Sequence, residues 1–416
     1  MKKTLAILLA LVMVLVFVAA CGGSDSGSDS GSAPAERTNP QTTSIGMYNP
    51  DYDYSLNQRY KVTYVVSNNT SGLYTASSGA FAHWASLMNV EYNGMLDFGG
   101  DDDALFSQLP QLARDNDGLL FDADANTYDR VYEIMKGTGT PWHAFMGAPR
   151  DYSIDGNPLV SPYVGFEQYD VGAFFANYMR EKAPDFFPGV PMSEFGFMVV
   201  DFSVAPPLHQ RMEGCRDTLA ASGWNMDRFF VADTAIAFFD ADTSRDVVSA
   251  VLAMNPDIKY WLIFAEIDDM AQGAAAALDL AGLGDTSFVS AFGGTALQMQ
   301  WDAGRQDAWR SAQYLPQTIF VEPIFCSLYA FMNGDATPET IFPEWKNKNE
   351  NQHYGHFSTR LLPWYEILFE NYQYMIRWSD VYAGSNLYPN YPLEINGRPI
   401  ARDDFSTTVP IPAHFR

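Results

Sequence analysis

The stretch DVVSAVLAMNPDIKYWLIFAEIDDMAQGAAAALDLAG, residues 246–282, decides the fold class. DVVSAVLAMNP sets apolar residues at helical spacing and stops at a proline. KYWLIFAE is a continuous apolar run of strand length, as a strand covered on both faces requires. DDMAQGAAAALDLAG is alanine-rich and ends at a glycine, the pattern of a second helix. Helix, buried strand and helix in immediate succession make the unit of a parallel sheet flanked by helices. The carboxylates Glu266, Asp268 and Asp269 fall at the strand-to-helix turn. Asp268 is expected to cap the alanine-rich helix, and Asp269 to sit in its first turn, where the helix dipole favours it. Glu266, at the carboxyl end of the strand, is the candidate for ligand contact, because open parallel sheets bind ligands beyond that edge.

The same rhythm extends on both sides. Upstream, YKVTYVVS (60–67), VEYNGMLDF (90–98), GLLFDAD (118–124) and PWHAFM (141–146) read as strands. Between them, TASSGAFAHWASLMN, LFSQLPQLARD and YDRVYEIMKGTG read as helices. After Pro162 the pattern restarts with the strand FGFMVVDF (195–202), the helix HQRMEGCRDTLAASGW and the strand RFFVAD. TSFVSAF follows the opening stretch as a further strand. The chain is therefore α/β, with two Rossmann-like lobes and parallel sheets. Two such lobes facing each other place a ligand in the cleft between them.

At the amino terminus, Lys2 and Lys3 precede the uncharged run TLAILLALVMVLVFV, which has the length of a signal-peptide core and is short for a membrane span. It ends in VAAC, residues 18–21, which resembles a bacterial lipobox with Val18 where Leu is more usual. That resemblance implies residues 1–20 as a signal peptide and Cys21 as a lipidated mature terminus; the alternative is an uncleaved anchor helix. The Gly/Ser/Asp-rich residues 21–45 are too polar to fold and read as a flexible tether. The chain carries 50 acidic against 25 basic residues, a net charge of −25, which argues against nucleic acid and against docking on an anionic membrane. Cys215 and Cys326 read as two buried thiols, with a pairing between them left open.

Several segments, in order, resemble the periplasmic sugar-binding proteins of the ribose/arabinose type, which capture solutes for ABC importers. They are VVSNNTSGLY, LLFDADA, VGFEQYDVGAFFANYM, HQRMEG, the opening stretch with the FFDADTSR before it, SAFGGT and YLP. The resemblance implies a type I periplasmic-binding-protein fold with a hinge. Its first lobe would comprise residues 58–161 with 317–334, its second 162–316 with 335–344, and residues 345–416 an aromatic extension. It also implies site residues: Ser67, Asn68, Asn69 and Tyr74 in the first loop, Asp122 where Asn is common, and Arg211 as a hydroxyl-binding group. Phe239 would cover the opposite face of a sugar, and Tyr314 would stand at the hinge. Leu73 departs from the second aromatic of the first loop.

Three further departures concern polar groups that hold sugar hydroxyls in that family. Met146, Ile267 and Gly293 stand where Asp, Asn and Asp would be expected. The pocket is therefore expected to be more apolar than usual, or to rely on Ser67, Asn68, Asn69, His143, Glu266 and Arg211.

Other motifs carry less. DADANTYDRVYE (122–133) imitates a calcium loop but has Thr127 at the glycine position, and DYDYSLN (51–57) has Leu56 there. ENQHYGH spaces Glu350, His353 and His356 by three, yet Gly355 and its polar surroundings favour a surface loop. His83 falls on an amphipathic helix and reads as a helix-surface or partly buried group. Nucleophile-elbow, zinc-protease and nucleotide-loop motifs are missing from the mature chain. The segment PWYEILFENYQYMIRW reads as helix-like and packed on a lobe, with a cover for the cleft or a transporter surface as the functional alternative.

The expected function is a lipid-anchored extracytoplasmic solute-binding protein, non-enzymatic and monomeric, without cofactor or metal, serving an ABC permease. The alternatives are a receptor of the same fold that signals to a sensor kinase, and a surface hydrolase using acidic pairs such as Asp122/Asp124.

Overall fold

The computed structural model describes residues 48–49, 52–69, 72–122, 127–145, 163–166, 168–237, 239–315, 317–337, 341, 359–361, 364–373, 375–376, 393–395 and 398–400. The signal segment, Cys21, the tether, Asp124, Met146 and the ENQHYGH segment lie outside them. Among the described residues no helix is long and apolar enough to cross a membrane.

The first sheet has the order β2-β1-β3-β4 and is parallel, built from Glu91–Asp97, Lys61–Val66, Gly118–Asp122 and Trp142–Ala144. On β1, Val62, Tyr64 and Val66 face the core shared with α1 (Gly72–Leu87) and α9 (Gln317–Met332). Val65 faces the opposite core, made with α2 (Asp102–Asp115) and α3 (Tyr128–Lys136). A strand apolar at successive positions is stable only when both faces are covered, and the helices supply that cover.

The second sheet has the order β12-β10-β9-β8-β6-β7. Phe195–Asp201 (β6), Phe229–Asp233 (β7), Tyr260–Ala265 (β8), Ser287–Gly293 (β9) and Trp309–Tyr314 (β10) run parallel. Phe195, Phe197 and Val199 of β6 pack toward α4 (Gln168–Phe186) and α5 (Pro206–Ala221). Met198 and Val200 point to the other side, where α6 (Ala241–Met254), α7 (Asp268–Leu280) and α8 (Thr295–Asp302) close the second core. The opening stretch is thus α6, β8 and α7, as its periodicity predicts. Short strand pairs complete the structure: β5 (Tyr163–Gly165) with β11 (Thr359–Leu361), and β13 (Leu393–Ile395) with β14 (Arg398–Ile400).

One element departs from the sequence reading. Within PWYEILFENYQYMIRW, Tyr365–Leu368 form β12, which pairs antiparallel with β10 and extends the second sheet. The expected helix gives way because β10 would otherwise be an unpaired edge. Glu366 anchors the added strand from inside: it accepts a 2.6 Å hydrogen bond from Tyr178 Oη on α4, and Lys182 Nζ lies 3.4 Å away.

An aromatic chain joins the lobes where the backbone crosses between them. Phe145 follows β4 and meets Phe320 of α9 at 5.3 Å; Phe320 stacks on Phe166 at 5.7 Å, and Phe166 meets Phe292 of β9 at 4.8 Å. These rings make one continuous core between the two sheets. Cys215 and Cys326 are buried and not joined in a disulfide; Cys326 Sγ lies 3.8 Å from Met88 Sδ.

Candidate ligand-binding site

Within each sheet the parallel strands end on one edge, and acids stand at several of those ends. β2, β3, β6 and β7 each finish with aspartate: Asp97, Asp122, Asp201 and Asp233; Glu266 follows the last residue of β8. The pattern was readable in the sequence as an apolar run stopped by an acid (LLFD, FMVVD, FVAD), yet Asp97, Asp201, Asp233 and their partner His209 were missed.

In the first lobe the structure brings Ser67, Asn69, Asp97 and Asp122 together. Ser67 N–H donates to Asp122 O at 3.0 Å, and Asn69 N–H donates to Asp97 Oδ1 at 3.2 Å. Ser67 O accepts from Gly100 N–H at 2.7 Å, which ties the ends of β1 and β2. Asn68 is exposed beside Gly100, and Leu73 and Tyr74 enter the first turn of α1, half-buried against the lobe core. His143 does not join them. It lies fully buried on β4 against the Phe331 ring, with Nδ1 2.7 Å from the Ala144 carbonyl, and burial pushes its imidazole down to about 4.

In the second lobe, Arg211 is 3% exposed rather than open to a ligand. Its Nε donates to Gln168 Oε1 at 2.7 Å, another nitrogen donates to the Glu266 backbone carbonyl, and its guanidinium lies 4.8 Å from the Phe292 ring centroid. The arginine is thereby fixed at the carboxyl edge by three different elements.

Glu266, the candidate for ligand contact at the end of β8, is likewise fully buried. Burial first, and then the Asp201 carboxyl, hold it far above the usual carboxylate range, while Arg211 opposes the shift. The two carboxyls are close enough to couple, but neither Glu266 oxygen completes a well-formed hydrogen bond. Asp201 is also raised by burial, with His209 pulling it down through a 2.8 Å contact from Nδ1 to Oδ2. Asp233 is held below its usual range despite burial, because Ser203 and Ala235 donate to it. Phe239 is half-buried in the loop after β7, edge-on to Phe202 at 5.1 Å. Tyr314 ends β10 with its ring against Tyr365, inside the second core.

Asp268 corrects a further expectation. It does not cap its own helix: Ile267 holds the cap position of α7 and supplies no side-chain bond. The Asp268 carboxylate instead accepts from Gly294 N–H at 2.6 Å and Ala296 N–H at 2.8 Å, capping α8. Burial raises it to about 6 although those bonds oppose the shift. Among the described residues no group of His, Cys, Asp and Glu side chains converges as a metal-holding set.

Residues 112–314 match the family model described as a periplasmic binding protein domain. Among solved structures, the chain is similar to an ABC transporter periplasmic solute binding protein from Actinobacillus succinogenes 130z with bound D-allose. The TM-score is 0.59 at 13% identity, over 76% of this chain and 100% of the other. A solute binding protein from Bacillus halodurans C-125 with bound myo-inositol gives 0.56 at 16% identity, over 77% and 99%. A galactofuranose binding protein gives 0.57 at 14% identity, over 78% and 99%. No curated protein matches in sequence. The two-lobed α/β architecture, with parallel strands in both sheets, is the type I periplasmic-binding-protein fold expected from the sequence.

Proposed function

Because residues 112–314 match the model of a periplasmic binding protein domain, we propose that this chain captures a sugar-like small polar solute between its lobes and presents it to an ABC permease. The observation that supports this reading is that acids stand at the carboxyl ends of strands in both sheets, Asp97 and Asp122 in the first and Asp201 and Asp233 in the second, while one aromatic core joins the two sheets. A ligand bridging the two edges would favour the closed form by its differential affinity for it. In this reading the protein is extracytoplasmic and held to the membrane by a lipid on Cys21, and it turns over no substrate. Ser67, Asn68, Asn69, Tyr74 and Asp122 form the first wall; Arg211, Phe239, Glu266 and Tyr314 support or line the second.

A thermal-shift screen of the purified protein with D-allose, myo-inositol, allitol and glycerol tests the capture. A binder present at about a hundred times its dissociation constant adds roughly 2.7 kcal/mol to the folded state and raises Tm by several degrees. A flat response to sugars, polyols and related small solutes would remove the reading. The anchor is tested separately: Cys21→Ser should move the protein from the membrane fraction to the soluble extract and abolish labelling by radioactive palmitate.

A further inference from the structure

Strand register places three acids in one row across neighbouring strands of the second sheet. Asp201 pairs with Asp233, and Val200 with Ala265, so Glu266, Asp201 and Asp233 sit side by side at the ends of β8, β6 and β7. Two bases from the first turns of α5 stand over the row. Arg211 is held at the Glu266 end by its bonds to Gln168 and the Glu266 carbonyl, as described above. His209 stands over Asp201, at 2.8 Å from Nδ1 to Oδ2. A ring nitrogen at that distance from a carboxylate carries the proton, so Nδ1–H donates. The other nitrogen, Nε2, lies on the far side of the ring, and the side chain is 35% exposed.

The surroundings of His209 are rigid and largely apolar. Asp233 bridges the loops after β6 and β7 through Ser203 N–H at 3.2 Å, Ser203 Oγ at 2.6 Å and Ala235 N–H at 2.9 Å. Those loops expose Val204 and Ile236. At the next strand end stands Ile267, and beyond it Gly293, neither of which offers a side-chain hydrogen bond. Asp233 and Ser203 are engaged with each other there, and the imidazole is a partly exposed polar group with a fixed orientation. With Nδ1 committed to Asp201, Nε2 of the neutral imidazole offers a lone pair to a donor. A carboxylate or phosphate dianion placed at Nε2 has no hydrogen to give, and the acid row behind the imidazole repels it.

We propose that His209 is a specificity-determining residue of the solute site. Oriented by Asp201, it accepts a hydrogen bond at Nε2 from a ligand hydroxyl or amine, and the site selects neutral or amine-bearing sugars and polyols over sugar acids and sugar phosphates. This inference rests on the solute-capture reading.

The test uses the full chain with four probes: myo-inositol, D-glucosamine, D-glucuronate and glucose 6-phosphate. Affinity is measured by calorimetry and Tm shift for the wild type, His209→Ala and His209→Gln. The glutamine retains an amide that can donate to Asp201 and accept from a ligand. Expected is stabilisation of the wild type by inositol or glucosamine and by neither anion. His209→Ala should lose about tenfold in affinity for the stabilising probe, and His209→Gln should recover much of it. Equal affinity in wild type and His209→Ala, or an anionic probe bound as tightly as a neutral one, overturns the role of His209 and leaves solute capture standing. If no probe shifts the wild type, this inference is overturned, while solute capture is decided separately by the wider screen of sugars and polyols.

Discussion

Gly293 and Asp268 show how a residue read as a lost sugar contact acquires a different explanation. In the family pattern an aspartate would stand at 293. Here the backbone has φ +145°, and a Cβ would lie 2.5 Å from Asp268 Oδ1. Asp268 fills the turn and caps α8 through Gly294 and Ala296. Gly293→Ala should therefore destabilise the protein by about 2 kcal/mol, from the strained φ and the displaced cap together. The shift in urea midpoint at unchanged slope would measure it. Gly293→Asp would set carboxylate against carboxylate and cost more. Restoring the family's polar group is thus feasible at Ile267 and not at Gly293. Arg211 is the second lesson at this scale. Its position was readable from HQRMEG, but its saturation by Gln168, the Glu266 carbonyl and Phe292 was not. Truncating it would disturb the empty fold as well as ligand binding.

Between elements, the contact of α4 with α5 depends on two glycines. A Cβ on Gly172 would be driven into the Arg211 carbonyl, and one on Gly214 into the Tyr169 carbonyl. The helices therefore touch backbone to backbone, at the level that carries Arg211. Gly172→Ala should cost about 2–3 kcal/mol by overpacking and should also weaken ligand binding, because the α5 turn bearing Arg211 must move. Parallel denaturation and calorimetry curves would show both effects, whereas Gly189→Ala, where a Cβ meets nothing, would change only local backbone strain. The same scale explains why β12 was misread. EIL and its aromatic neighbours have no decisive periodicity over four residues, and the free edge of β10 chose the strand.

For the molecule as a whole, buried ionisable groups set opposing slopes of stability against pH. His143 is lowered from 6.5 to about 4 by burial. Its contribution is complete above the ordinary imidazole value and is lost as pH falls through about 4, a term of roughly 3 kcal/mol at most. Asp268 is raised from 3.8 to about 6, so its contribution is complete below 3.8 and gone above about 6. Glu266, raised further, extends that decline toward higher pH. The two trends overlap in the wild type, and a single substitution separates them. His143→Phe should flatten the acid limb between about pH 6.5 and 4, seen as urea midpoints that no longer fall as steeply with acid. An acid limb unchanged by that substitution would contradict the assignment.

Much of this architecture is local information. Apolar runs of strand length and helices of regular period determined two α/β lobes and the strand ends beyond which they would bind a ligand, because periodicity and strand ends depend on neighbours in the chain. The tertiary structure alone decided which groups meet across that edge: Asp201 with His209 and Glu266, Asp268 with the start of α8, and Glu366 with Tyr178. Those contacts join different elements, and their existence depends on register and helix packing that no single segment encodes.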